Sequence, residues 1–251
     1  MKVQPNTIAI LGTSHAATET LPRHTWPDQW ERSVLGPTVM VNMAKGGASA
    51  GQPYLYTLNG ETYPVPSVEQ QAVSLVGYCK AIGVCPEVVI CMPLGNDTLV
   101  TSLPPFTWGP FAVHPEITAH QNVLLGKHNN HWPDVATEVA WDVTEPCVDR
   151  AYMTVQEGLP DTMFVGITDF RMSKAPLISG LIDGAEFDRR QREFSEALMH
   201  CGRVNDFNVI EGHMFIPEPS YYQDDGIHLD RVGQRHFAEF IAGKFLGITE
   251  G

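Results

Sequence analysis

Basic residues are scarce in this chain of 251 residues: 16 Lys and Arg stand against 29 Asp and Glu, a formal net charge of −13. A protein that binds a phosphate backbone needs a basic face, so this balance argues against a nucleic-acid partner. No run approaches the roughly 20 apolar residues of a membrane-spanning helix, so we expect no membrane span. The first apolar run, Ile8 to Leu11, is too short for a signal-peptide core. We therefore expect a soluble chain, cytoplasmic by default or part of a larger assembly.

Cysteine is also sparse and shows no pattern. An odd number of cysteines occurs without a CxxC motif and mostly in apolar surroundings, at Cys79, Cys85, Cys91, Cys147 and Cys201. This usage is typical of free, buried thiols in a reducing compartment. Internal repeats and low-complexity tracts are absent too. A chain of this length can bury a core without disulfides or metal ions, and we predict a single domain over residues 1–251.

Short runs rich in Val and Ile recur along the chain and predict five strands, at residues 7–11, 38–42, 87–92, 162–168 and 208–210. Such runs, separated by helical patterns, are typical of parallel strands that are buried on both faces. We therefore predict a three-layer α/β/α sandwich around a mainly parallel, flavodoxin-like sheet of five strands.

Three helices are predicted from apolar periodicity and capping residues. Ser67 and Gln70 form a capping box before the first of them. Asp230 is placed to cap the last. Their inward faces comprise Val68, Ala72, Leu75, Val76 and Cys79; then Phe187, Phe194, Ala197 and Leu198; and finally Val232, Phe237, Phe240, Ile241 and Phe245.

Residues 101–144 do not continue this alternation of strands and helices, because they are rich in Pro, Trp, His and Asn and show no clean apolar period. We predict an insertion over one end of the sheet, with a short helix near residues 116–125. A cap that shapes a ligand site and a plain surface elaboration both remain open. The histidines (His114, His120, His128, His131) lack a recognisable ligand spacing, so we expect no metal. The tryptophans (Trp108, Trp132, Trp141) either stack on a ligand or form the insertion's own core.

Four short clusters carry groups that can do chemistry, and each follows or is expected to follow the carboxyl end of a strand. They are centred on Ser14, on Gly47, on Asn96, and on Asp225 with His228. Each is ordinary when taken alone, since serine often caps a helix and Gly-Asn pairs form turns. The carboxyl edge of a parallel sheet is where such folds bind ligands, so the four can converge. Ser14 is expected to precede a helix N-terminus, which favours developing negative charge.

The clusters resemble, in order, the four sequence blocks of the SGNH hydrolases, the GDSL-like esterases and lipases. IAILGTSHA is similar to the nucleophile block, VNMAKGGASA to the glycine block and VVICMPLGNDTL to the asparagine block. DDGIHLDRVGQRHFAEFI resembles the block that carries Asp and His. The resemblance covers most of the chain apart from the insertion. Two departures stand out: Thr13 and His15 replace the usual Asp and Leu, and Leu94 occupies the usual glycine position.

The resemblance implies a Ser-His-Asp triad of Ser14, His228 and Asp225. It implies an oxyanion hole made by the backbone N–H groups of Ser14 and Gly47 and by the side chain of Asn96. The implied activity is hydrolysis of carboxylic esters through an acyl-enzyme, without a cofactor. The polar, aromatic insertion favours short acyl esters such as O-acetylated carbohydrates.

Two other functions remain compatible with the sequence. The scaffold can serve as a non-catalytic carbohydrate-binding or structural module, which the two atypical blocks favour. The same catalytic groups can also transfer the acyl group to an alcohol other than water, since only water access differs. Oligomeric state is not predicted.

Overall fold

The computed structural model describes residues 6–18, 20–33, 39–46, 48, 50, 54–58, 61–95, 145–172, 184–223 and 227–249. The predicted insertion at 101–144, with its short helix, its histidines and its tryptophans, lies outside these residues. The predicted single-domain boundary therefore stays a prediction.

Seven strands are present in the described residues: β1 (Thr7–Gly12), β2 (Val39–Asn42), β3 (Tyr54–Leu58), β4 (Glu61–Val65), β5 (Val88–Met92), β6 (Met163–Ile167) and β7 (Asn208–Ile210). Five of them form one sheet in the order β2-β1-β5-β6-β7, and every neighbouring pair is parallel. The predicted five-stranded parallel sheet is therefore confirmed. β3 and β4 form a separate antiparallel hairpin that the sequence did not predict.

Five helices accompany the strands: α1 (Trp26–Ser33), α2 (Val68–Ile82), α3 (Glu145–Gly158), α4 (Gly184–Asn205) and α5 (Arg231–Thr249). α2, α4 and α5 were predicted, whereas α1 and α3 were not. In the part of the chain that the structure describes, no helix is both long and apolar enough to cross a membrane.

The sheet separates two apolar cores, which makes the domain a three-layer α/β/α sandwich. Successive side chains of a strand point to opposite faces. Ile8 and Ile10 of β1 accordingly join a core with α1 and α5, while Ala9 and Leu11 join a core with α2, α3 and α4. The first core is aromatic, with Trp26, Trp30, Phe237 and Phe245 fully buried or nearly so.

The predicted N-cap residues of two helices, Ser67 and Asp230, are confirmed. Oγ of Ser67 accepts a hydrogen bond from the Gln70 N–H at 3.2 Å, and Oδ1 of Asp230 accepts one from the Gly233 N–H at 2.7 Å.

One inward residue of α5 was predicted wrongly, because Val232 is 49% exposed. It lies five residues before Phe237, hence about 140° around the helix from the buried stripe. On α4, Phe194, Ala197 and Leu198 are buried as predicted, and the side chain of Phe187 lies outside the described residues.

Candidate active site

Ser14 and His228 come together at the carboxyl edge of the sheet, although 214 residues separate them. Oγ of Ser14 lies 2.8 Å from Nε2 of His228. Ser14 is 9% exposed, and His228 is half-buried. The strand order reverses beside β1, since β2 lies on one side of it and β5 on the other. Ser14 therefore follows the strand at the topological switch point, where open α/β sheets bind ligands.

The chain after Ser14 forms separate turns, so the helix expected there is wrong. The N–H groups of Ala16 and Ala17 both bond the Thr13 carbonyl at 3.1 Å, and Thr20 bonds Ala17 at 3.0 Å. Among the described residues that follow Ser14, the first helix is α1, which begins at Trp26. Ser14 therefore lies on a tight turn without the stacked peptide dipoles of a helix behind it.

The residue two positions before Ser14 is held by a buried amide. Oε1 of Gln71, on α2, accepts from the Gly12 N–H at 2.8 Å, and Nε2 of Gln71 donates to the Gly12 carbonyl at 3.0 Å. Gly12 also packs tightly on β5, because a Cβ at this position would lie 2.6 Å from the Met92 carbonyl oxygen. Glycine is required here for close backbone approach. The start of the serine turn is thus fixed from two sides.

Asn42, the last residue of β2, holds the other end of the serine turn. Its Nδ2 donates to the Ala16 carbonyl at 2.8 Å and to Oγ1 of Thr18 at 3.2 Å. Its Oδ1 accepts from the Ala44 N–H at 3.0 Å. One side chain therefore ties the serine turn to the loop that leads towards Gly47.

His228 lies on a turn that backbone contacts hold just before α5. The Gln223 N–H donates to the His228 carbonyl at 2.8 Å, and the Asp230 N–H donates to the Tyr221 carbonyl at 2.7 Å. Tyr222 and Leu229 form an antiparallel bridge between these two bonds. The histidine is thus carried by a short ribbon that leads into the cap of α5.

A second imidazole lies beside the first. His15 is 1% exposed, and its ring centroid is 5.4 Å from that of His228, with the rings tilted by 45°. Phe170 also packs against His15, and its ring meets the imidazole edge to face at 4.7 Å and 76°. Gly95 packs against the same imidazole, because a Cβ on Gly95 would lie 2.5 Å from Cδ2 and 2.7 Å from Nε2 of His15.

Three predicted site residues, Gly47, Asn96 and Asp225, lie outside the described residues, so their predicted roles stay predictions.

Sequence reasoning missed the supporting roles of three residues at the site, Asn42, Gln71 and His15. Gln71 left a signal, since it is a polar residue on the otherwise apolar inner face of α2. The packing role of His15 had no such signal, because its contacts come from distant segments.

The buried thiols of the sheet and of α4 are poor candidates for a nucleophile. Burial raises the pKa of the Cys91 thiol well above its ordinary value. Burial, followed by the hydrogen bond to Asp149, does the same to the pKa of Cys201. Both thiols therefore stay protonated at neutral pH, and the thiolate is the reactive form.

No family model matches this chain, and no curated protein matches its sequence. Solved structures do match over almost the whole chain. A carbohydrate acetylesterase from Sinorhizobium meliloti is 13% identical, with a TM-score of 0.59 over 97% of this chain and 99% of that one. A lipase/acylhydrolase from Enterococcus faecalis is 12% identical, with a TM-score of 0.56 over 96% of each chain.

A member of the lipolytic G-D-S-L family from Veillonella parvula gives a similar result: 13% identity and a TM-score of 0.56 over 95% of this chain and 97% of that one. At such low identities these likenesses establish the fold. The chain has the architecture of the GDSL-type lipases and acetylesterases, as its sequence blocks predicted.

Proposed function

We propose that this chain is an SGNH-type serine hydrolase that cleaves carboxylic esters. The observation that carries the proposal is the 2.8 Å distance between Oγ of Ser14 and Nε2 of His228. A serine hydroxyl is a weak nucleophile unless an adjacent base accepts its proton. Here both groups lie at the sheet edge where this fold class binds ligands.

In the proposed reaction, Oγ of Ser14 attacks the ester carbonyl and transfers its proton to Nε2 of His228. The resulting oxyanion accepts hydrogen bonds from the N–H groups of Ser14 and Gly47 and from the Asn96 side chain. His228 then protonates the leaving alcohol, and the C–O bond breaks to give an acyl-enzyme. Water, deprotonated by His228, releases the acid and restores Ser14. Asp225 orients the imidazole and stabilises its charged form.

The proposed substrates are short acyl esters, above all O-acetylated carbohydrates. The polar and aromatic composition of residues 101–144 supports this choice. The likeness to a carbohydrate acetylesterase adds support at the level of the fold.

Ester hydrolysis by four proteins tests the proposal: the wild type, Ser14→Ala, His228→Ala and, as a matched control, Ser74→Ala. Ser74 is an exposed serine of α2. We expect Ser14→Ala and His228→Ala each to lower kcat by about 10⁶-fold, because members of a triad act as a unit. Ser74→Ala should match the wild type. Activity that survives Ser14→Ala would contradict the proposal.

Acyl length tests the substrate class separately. p-Nitrophenyl acetate should be cleaved with a higher kcat/KM than p-nitrophenyl decanoate, and acetylated glucose should release acetate. A preference for decanoate would leave the serine hydrolase in place and overturn the acetyl assignment.

A further inference from the structure

His15 replaces the leucine that usually follows the nucleophile in the resembling family, and its ring contacts the proposed base. Rotation of an imidazole about its Cβ–Cγ bond has broad energy minima, so this bond alone does not fix the ring plane. The position of Nε2 in His228 therefore depends on what packs against the ring as well as on the hydrogen bond proposed for Asp225. Among the described residues, His15 is the aromatic neighbour of His228, at 5.4 Å between ring centroids.

His15 is itself held by a chain of aromatic contacts. Its ring meets the edge of Phe170 at 4.7 Å, and Phe170 meets Phe237 of α5 at 5.1 Å and 72°. Nε2 of Gln191 donates to the Phe170 carbonyl at 2.6 Å, which fixes the backbone of Phe170. The contacts thus link the serine turn to the end of β6 and to the helix that follows His228.

The two departures from the family pattern meet in this packing. His15 enlarges the side chain after the nucleophile, and Leu94-Gly95 shifts a glycine by one position. The His15 ring occupies the space that a Cβ on residue 95 would need, with contacts of 2.5 and 2.7 Å. Glycine at position 95 therefore accommodates the imidazole at position 15.

We propose that His15 is a positioning residue, which acts by fixing the ring plane of His228 so that Nε2 stays directed at Oγ of Ser14. This arrangement requires glycine at position 95, because a larger residue there would displace the His15 ring. The expected effect of His15 on the reaction rate rests on the proposed function. Its expected effect on the ring of His228 rests on packing alone. His15 does not itself contact the substrate, since it is 1% exposed.

A double-mutant cycle of His15→Ala and Gly95→Ala tests the proposal. His15→Ala should lower kcat for p-nitrophenyl acetate by about 10- to 100-fold, because a displacement of the order of 1 Å at the reacting groups can cost that much. KM should stay within about twofold, since the bound ester does not touch His15. His24→Ala, a half-buried histidine of a separate turn, should match the wild type.

The coupling between the two sites is the sharper part of the test. Gly95→Ala alone should lower kcat, because its methyl group displaces the imidazole. In the His15→Ala background the clash with the imidazole is gone and Oγ1 of Thr13, at 3.1 Å, needs to shift by only a few tenths of an ångström, so kcat should fall little further. Equal losses in both backgrounds would overturn the proposal, since independent sites add. Normal kcat in a folded His15→Ala protein would overturn it too.

A second variant of His15 and an NMR measurement test the same proposal independently. If His15→Ala does not fold, His15→Leu fills the volume with the family's residue and should still show the fall in kcat. Imidazole ¹⁵N spectra report on His228 without turnover, and Ser14→Ala identifies the signal that depends on the hydrogen bond. That signal should change in His15→Ala, and an unchanged signal would overturn the inference. A wild type without Ser14-dependent hydrolysis would instead contradict the proposed function.

Discussion

The turn that carries Ser14 and the turn that carries His228 are anchored by different kinds of contact. Side chains from two other elements hold the serine turn: Gln71 of α2 bonds Gly12, and Asn42 of β2 bonds Ala16. The histidine turn is held mainly by backbone bonds, such as the 2.8 Å bond to the His228 carbonyl. A side-chain substitution can therefore loosen the turn of Ser14, the proposed nucleophile, directly. His228, the proposed base, is reached instead through the groups that contact its ring.

Of the substitutions that test this difference between the two turns, Gln71→Leu is expected to cause the largest loss of stability and of kcat. The substitution leaves the Gly12 N–H without its buried partner, which should lower the free energy of unfolding by about 1–3 kcal/mol. It should lower kcat as well, since Gly12 sets the direction of the serine turn. Urea unfolding and p-nitrophenyl acetate hydrolysis measure the two effects. Ser74→Leu, at an exposed position of the same helix, is the control, and equal stability of the two variants would contradict the role given to Gln71.

An intermediate loss of stability and of kcat is expected for Asn42→Ala, because the hydrogen bonds of the Asn42 side chain are at most half-buried. Loss of the bonds to Ala16 and Ala44 should lower the free energy of unfolding by about 1–2 kcal/mol and reduce kcat. Asn208→Ala removes an exposed asparagine from the opposite edge strand and should leave both quantities near the wild-type values. If Asn42→Ala changed stability without changing kcat, its amide would support the fold and not the position of Ser14.

The smallest effect is expected on the histidine side, for Asp230→Ala. The loss of the cap of α5 should lower the free energy of unfolding by about 1 kcal/mol. The backbone ribbon around His228 stays in place, so kcat should change little. Asp230→Asn keeps a capping oxygen and should retain the stability of the wild type. A fall in kcat as large as that of Gln71→Leu would show that the position of His228 depends on the Asp230 side chain and would contradict this expectation.

Much of the fold could be predicted from the sequence, because parallel strands buried on both faces leave continuous apolar runs. Even the short strand Asn208–Ile210 was found this way. α1 was missed since it has eight residues, and its two buried tryptophans are too few to reveal a helical period. α3 was missed because its first residue, Glu145, directly follows the aperiodic segment.

The sequence singled out Ser14 and His228, which lie 2.8 Å apart in the structure, but it did not predict the residues that support them. Ser14 and His228 belong to local motifs, so their neighbours along the chain mark them as candidates. The hydrogen bonds of Gln71 join it to Gly12, 59 positions away in the sequence. An isolated polar residue on an apolar helix face does not reveal which residue it bonds. The close approach of His15 and Gly95 could not be predicted either, although His15 and the neighbouring Leu94 had been noted as departures from the family pattern.

The most direct test of the account is whether a fluorophosphonate probe, which reacts with activated serines, modifies Ser14. Intact protein should be treated at neutral pH, digested and analysed by peptide mass spectrometry, with His228→Ala and Ser74→Ala in parallel. We predict a single adduct on the peptide that contains Ser14, in the wild type and in Ser74→Ala and not in His228→Ala. An adduct on another serine, or one on Ser14 that forms equally well without His228, would contradict the account.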